Sequence, residues 1–362
     1  MNAPFPYPEL QDDLVISPVD LNDAQLAARI EDYVRDAHGA LFQRPTWLKA
    51  AEAACGHKAT GLIAERVGQG ERAIAGWLPL SEVHSHIFGR AMVSSGFGVG
   101  GGVLSHDDGI AHALGHAATE LAQRSACASV ELRGGVIPEG WQVQNESHAN
   151  FVKDLAEDDE AQLLAIPRKQ RADVRKSLGG DLTITTGRSY AERDAHYAIY
   201  AESVRNLGTP VFPRALFDTM LDAFPDTSDI LTVRYEGEAV ASVLSFYHDG
   251  TVMPYWGGGI FAARRLKANE RMYYELMLHA RERGMTRFDF GRSKTGSGPY
   301  KYKKNWGFEP EPMSYGTWSA DPSSARNVDP TDAAYAKKIE LWKKLPLGVA
   351  NRLGPIIARG LA

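Results

Sequence analysis

Two cysteines, Cys55 and Cys127, are all that 362 residues contain, with no Cys–x–x–Cys spacing. That scarcity excludes a disulfide framework and a cysteine zinc site, and it suits a reducing compartment. No apolar run approaches the roughly 18 residues of a membrane span. The opening Met1-Asn2-Ala3-Pro4-Phe5-Pro6 lacks the charged-then-apolar order of a secretory leader. Positive charge is not in excess either. Forty Lys and Arg against 45 Asp and Glu give a formal charge of −5, which excludes a generally basic coat and genomic DNA as a partner, while allowing a local basic groove. There is no nucleophile elbow and no phosphate loop ending in Lys-Ser/Thr. Gly96-Phe97-Gly98-Val99-Gly100-Gly101 fits a dinucleotide fingerprint in form, but Asp107 and Asp108 follow it and repel phosphate. His112 and His116 lie four apart without the intervening acid of a metalloprotease, so neither a metal nor a tightly bound cofactor is expected. What remains, 44% hydrophobic and 23% charged, is the composition of a soluble globular chain, read here as cytoplasmic and long enough for two domains.

The chain echoes itself. Gly100-Gly101-Gly102-Val103-Leu104, a helical pattern and Val130-Glu131-Leu132-Arg133 recur about 157 residues later as Gly257-Gly258-Gly259-Ile260-Phe261, a helical pattern and Phe288-Asp289-Phe290-Gly291-Arg292. A fixed offset argues for two copies of one unit. Only the second copy runs on through Ser297-Gly298-Pro299-Tyr300-Lys301-Tyr302-Lys303-Lys304-Asn305-Trp306-Gly307-Phe308. Duplicated sequence is read as scaffold, and sequence unique to one copy as the seat of chemistry.

In the second half, apolar spacing predicts helices through Tyr197–Leu207, stopped by Gly208 and Pro210, and through Leu216–Phe224. Strands are predicted over 230–234, 239–247 and 251–256, with Glu236-Gly237 and Asp249-Gly250 as hairpin turns. A helix over 266–283 and a strand over 287–290 follow. A strand–helix–strand crossover of this kind makes the last two strands parallel. The first half repeats the order, with strands over 60–65, 72–80 and 90–94, a helix over 110–123 and a strand over 129–132.

The Ser297–Phe308 block predicts a helix capped by Ser297 or Gly298, begun by Pro299 and ended by Gly307. Its start offers free N–H groups with Lys301, Lys303 and Lys304 around it. Tyr300, Tyr302 and Trp306 offer faces on which a base or sugar could stack. The alternative is a solvated helix whose aromatics pack on the sheet. Arg168, Arg171 and Arg175 share one helical face suited to phosphates, or simply balance the acidic run 157–160. Asp289 is placed to accept a proton or hold an amine, or to pair with Arg292, much as Glu131 is followed by Arg133 in the first copy.

Antiparallel strands feeding a parallel crossover resemble the GNAT acyltransferase fold, here in tandem within an α/β class. Ile166–Arg171, Asn206–Pro213 and Phe288–Phe308 resemble the FemAB-like family, and within it the branch associated with PEP-CTERM/exosortase envelope systems. The resemblance implies a GNAT-like domain over 14–155, a second over 156–320 carrying the active site, and a tail over 321–362. It implies transfer of an aminoacyl group from aminoacyl-tRNA, or alternatively an acyl group from acyl-CoA, to an amine of a peptide or glycan acceptor of the cell envelope. It also implies that Lys303, following Tyr302, lies at the reacting ester outside the core, with Lys304 as fallback and Thr209, Tyr255 and Trp256 at the acceptor pocket. Acetyl-CoA enzymes of this fold carry a basic–x–x–Gly–x–Gly/Ala loop. The corresponding Arg264-Arg265-Leu266-Lys267-Ala268-Asn269 has no glycine, which favours the aminoacyl-tRNA acceptor end over CoA. A non-catalytic double module binding envelope components is the rival from another class. Residues 326–362 mix seven Lys/Arg with apolar residues, which suits peripheral contact with an inner membrane face or docking onto the protein itself.

Overall fold

The computed structural model describes residues 13–68, 71–85, 89–321 and 333–361. Positions 1–12, and 322–332 and 362 of the expected tail, lie outside the described residues. The chain divides into two compact units, one of residues up to 146 with 313–321 and 359–361, the other of 147–312 and 333–358.

In the first unit β1 (Leu14–Asp20), β2 (Lys58–Gly68), β3 (Glu71–Ser85) and β4 (Gly89–Val93) pair antiparallel in that order. Helices α1 (Ala24–Asp36) and α2 (Pro45–Cys55) connect the first two strands. The crossover helix α3 (Asp108–Arg124) leads to β5 (Ser129–Arg133), which runs parallel to β4 from Ala91↔Ser129 to Val93↔Glu131. Ile110, Leu114, Ala117, Ala118 and Leu121 recur at helical spacing and bury against Leu62, Leu78, Leu80, Met92 and Val130 of the sheet. Asp107 does more than repel phosphate: its carboxylate caps α3 by accepting the Ile110 N–H at 3.2 Å.

The second unit takes up the end of β6 (Gln142–Asn150) and contains β7 (Val152–Asp154), α4 (Asp159–Leu164), α5 (Arg168–Leu178), β8 (Leu182–Gly187), α6 (Tyr190–Leu207) and α7 (Arg214–Ala223). The meander β9 (Ser228–Tyr235), β10 (Glu238–His248), β11 (Thr251–Gly259) follows, then α8 (Ala263–Leu266), α9 (Ala268–Glu282), β12 (Arg287–Asp289), β13 (Ser293–Lys294) and α10 (Gly298–Asn305). Strand order is β7-β12-β11-β10-β9-β8, antiparallel except for the parallel pair β11–β12. Glu236-Gly237 and Asp249-Gly250 both hold positive φ at each residue, the requirement of a tight hairpin matched to strand twist. Gly208, at φ +86°, closes α6 where the sequence predicts the stop.

The helix predicted over 266–283 is α9, which starts after Lys267 at φ +57°, and the one-turn α8 precedes it. Outside these, β14 (Glu311–Ser319) pairs antiparallel with β5 in a sheet of order β1-β2-β3-β4-β5-β14-β6-β13, and α11 (Ala333–Lys343) and α12 (Leu347–Ala358) belong to the second unit. The expected layout of antiparallel strands feeding a parallel crossover therefore occurs twice.

The glycine triplets make close approaches of different kinds. A Cβ on Gly102 would stand 1.8 Å from the Gly134 carbonyl oxygen, whereas on Gly258 and Gly259 it would meet Ser203 Oγ and Asn269 Oδ1. Gly102→Ala is accordingly expected to displace backbone against backbone and lower stability by roughly 1–3 kcal/mol or more. A urea unfolding midpoint equal to wild type would contradict that contact.

Candidate functional site at the open end of the parallel strand pair

In an open α/β sheet, ligands approach the carboxyl ends of parallel strands, because neighbouring chains can part there. In the second unit they do part. The register of β11 on β12 covers Thr251↔Arg287 and Val252↔Phe288. Beyond it β11 stays with β10, ending in the Ile260 N–H to Val240 O bond. The chain leaving β12 stays with its other neighbour through Phe290 N–H to Phe151 O at 2.8 Å. Each parallel strand follows its outer partner, and the ladder between them opens into a crevice.

The same place in the first unit is closed by its own chain. The Ser94 N–H donates to Glu131 O at 2.8 Å, prolonging the β4–β5 ladder, and the Gly102 N–H returns to Arg133 O at 3.0 Å. The Arg133 guanidinium donates to Gly98 O at 2.8 Å and to Glu131 Oε1 at 2.7 Å. Trp47 Nε1–H and Ser81 Oγ hold Gly96 from the far side, each at 3.0 Å. The glycine run that imitates a dinucleotide fingerprint is thus a stopper, and Glu131 serves its arginine.

At the end of β12 stands a buried lysine, close enough to Asp289 for each charge to act on the other. Lys303, on α10, is 8% exposed. Its Nζ donates to Gly291 O at 2.7 Å and Arg292 O at 3.1 Å, and lies 5.4 and 5.6 Å from the ring centroids of Phe151 and Phe290. Burial lowers its pKa to about 7, with Asp289 opposing the shift and Arg292 adding to it. Asp289 is half-buried, and its carboxyl is largely withdrawn from water; that raises its pKa against the Gly291 N–H (2.8 Å), the Asn150 side chain and Lys303. The expectation of Lys303 outside the core is corrected: the lysine clamps the turn after β12. The charge of Asp289 also acts on this ammonium, a partner the sequence had not given it.

The helix itself forms as the residues demand. Ser297 Oγ caps it by accepting the Tyr300 N–H at 3.3 Å, Pro299 opens it, and Gly307 follows at φ +79°. The stacking faces are corrected. Trp306 is 1% exposed and packs edge-on against Tyr273, Phe290 and Tyr302, inside a cluster with Phe288 and Phe308. Tyr302 is half-buried beside it, and withdrawal from water drives its phenol well above its ordinary pKa. Trp306 is core and Tyr302 packs against it because the four-residue step from 302 to 306 puts both on one helical face, while Lys301 and Lys304 stay exposed.

Arg168, Arg171 and Arg175 do share a face of α5, opposite the buried Gln170, Val174 and Ser177. Arg168 and Arg175 are exposed, and Arg171 donates to Leu164 O at 3.2 Å. Thr209 is exposed, and its N–H closes the α6 terminus on Val204 O at 2.9 Å. Trp256 is buried against Phe217 and Phe246, and Tyr255 is half-buried at its side. Arg292 is half-buried next to the lysine clamp. The structure gathers Asp289, Arg292 and Lys303 at the crevice end, and sets Thr209 at the end of α6. Asn150 and Phe151, which complete the cluster, carry no motif that would have singled them out.

Lys303 makes stability depend on pH in a stated direction. Between about 7, its folded value, and 10.5, its ordinary one, the unfolded chain holds a proton that the folded chain does not. Stability therefore rises with pH across that window on this residue's account. Lys303→Met is expected to flatten that rise, compared by melting temperature at both ends of the window. Parallel curves for the two proteins would contradict the burial.

Residues 167–304 match a family model described as an acetyltransferase (GNAT) domain. The chain is similar in structure to FemX, at TM-score 0.63 and 13% identity, covering 83% of this chain and 96% of that one. It is similar to a tandem GNAT protein from the clavulanic acid biosynthesis pathway, solved without AcCoA, at TM-score 0.56 and 14% identity over 85% and 99% of the two chains. The C-terminal domain of a putative lysylphosphatidylglycerol synthetase from Agrobacterium fabrum aligns at TM-score 0.55 and 13% identity over 83% and 94%. No curated protein sequence matches. The fold is tandem GNAT-like, with a GNAT domain model spanning the crevice and most of α10.

Proposed function

We propose that the second unit forms an amide by moving an aminoacyl or acyl group from an activated ester or thioester to an amine of a cell-envelope acceptor. The observation that carries this is the parted β11–β12 pair with the Asp289–Lys303 couple at its end, set against the stoppered counterpart. In the step proposed, the amine nitrogen bonds to the donor carbonyl carbon, and the carbonyl oxygen gains charge. The carbon–oxygen or carbon–sulfur bond then breaks, and the amine proton leaves with the alcohol or thiol. Lys303, held by two carbonyls with a third N–H to spare, supplies charge to the oxyanion, and Asp289 holds the amine proton in transit. The link to PEP-CTERM/exosortase systems belongs to the same reading and rests on sequence resemblance.

The donor is proposed to be an aminoacyl ester such as aminoacyl-tRNA. Where GNAT acetyltransferases are expected to leave backbone N–H groups open to pyrophosphate, the Asn269 side chain packs against Gly259, and Lys267 Nζ is paired with Asp173 at 3.0 Å. One observation favours acyl-CoA instead: Lys267 keeps the left-handed φ that a loop glycine would supply. Binding of charged tRNA, uncharged tRNA and acetyl-CoA by fluorescence anisotropy at two ionic strengths separates the two. Charged tRNA is expected to bind, with affinity falling steeply as salt rises. Salt-insensitive micromolar binding of acetyl-CoA without tRNA binding would make the CoA reading the leading one. Absence of transfer from every donor to a lysine-bearing acceptor peptide would favour the non-catalytic module.

A further inference from the structure

The helices α11 and α12 dock on the second unit's own α6 and the loop after it. A Cβ on Gly208 would come within 2.4 Å of Ile339 Cγ2, one on Gly354 within 2.9 Å of Val211, and the Arg205 guanidinium donates to Lys343 O at 3.2 Å. The docked face of α12 is built from small residues, Ala350, Gly354 and Ala358, at a repeat of four. This is the self-docking alternative that the sequence allowed. It leaves the large apolar residues on the outside.

Val349, Leu353 and Ile356 are 42%, 44% and 65% exposed and form one stripe on the far side of α12, and Leu341 on α11 is 66% exposed. Exposed basic residues accompany them: Lys337, Lys338 and Lys344 about Leu341, and Arg352 beside the α12 stripe. From 333 to 358 there are five Lys or Arg and one acid, Glu340, in a chain whose formal charge is −5. An apolar stripe edged by like positive charge is matched by a surface that is apolar beneath and anionic above. A protein partner would need acidic groups and an apolar ridge in matching register, whereas an anionic bilayer supplies both without register.

We propose that α11 and α12 form a peripheral docking surface for an anionic lipid bilayer, with Val349, Leu353 and Ile356 entering the acyl boundary and Lys337, Lys344 and Arg352 at the headgroups. The surface is held in place by the small-residue face, so binding needs no unfolding of α12. It stands independently of the transfer reaction.

The test is flotation of the full chain with vesicles of phosphatidylcholine alone and of phosphatidylcholine with phosphatidylglycerol. Wild type is expected to float with the anionic vesicles, less so at high salt. Val349→Ser with Leu353→Ser and Ile356→Ser, all at exposed positions, is expected to abolish flotation with an unchanged circular dichroism spectrum. Lys337→Glu with Lys344→Glu and Arg352→Glu should weaken it roughly a hundredfold or more. Equal flotation of wild type and the serine variant, or none by wild type at low salt, overturns the proposal. So does light scattering showing a dimer that the serine substitutions dissociate, since a second copy would then cover the stripe.

Discussion

Lys303→Met is expected to cut transfer by roughly a hundredfold or more, the usual loss when one preorganised donor to an oxyanion is removed. Lys303→Ala should do the same and in addition lose about 2–5 kcal/mol of stability, because a buried side chain that clamps the Gly291–Arg292 turn leaves both a cavity and two carbonyls without their donor. The pair of variants separates chemistry from architecture. An oxyanion contact requires the ammonium, whose pKa is about 7; wild-type rate should therefore decline as pH rises through neutrality, and the residual rate of Lys303→Met should not. Turnover like wild type in Lys303→Met would remove this residue from the mechanism and turn attention to the exposed Lys304.

Trp306→Ala is expected to cost about 3–5 kcal/mol, the scale of emptying a buried indole site. The ring is 1% exposed among Tyr273, Phe290 and Tyr302, so its loss opens the floor beneath α10. Trp306→Phe should recover most of that stability. Chemical denaturation of both variants, alongside donor binding, decides between packing and stacking. An alanine variant of native stability that no longer binds donor would return Trp306 to the role of a stacking platform.

What the sequence made legible was whatever depends on neighbours along the chain. The hairpins at Glu236-Gly237 and Asp249-Gly250, the stop at Gly208, the cap at Ser297 and the parallel partner of β11 all follow from local chemistry and the handedness of crossovers. What it hid depends on partners far apart. The step from Tyr302 to Trp306 reads equally as an aromatic face toward ligand or toward core, and only the position of α9 and β12 decides which. Lys303 looked like a surface lysine because lysines usually are, and its burial beside Phe151 links residues 152 positions apart. The break at Lys267 was invisible because nothing but glycine, asparagine or aspartate advertises a left-handed residue. The repeat was plain, yet its two glycine triplets proved to do different work, one sealing a crevice and the other admitting Ser203 and Asn269.

That seal fixes an accounting of ligand per chain. A duplicated fold would ordinarily suggest two equivalents of donor at saturation, with room for cooperativity between them. Here the Gly102 N–H bonds to Arg133 O across the strand ends of one copy, whereas the β11–β12 register of the other ends at Val252↔Phe288. A calorimetric titration should therefore level off at a single equivalent with a simple hyperbolic isotherm.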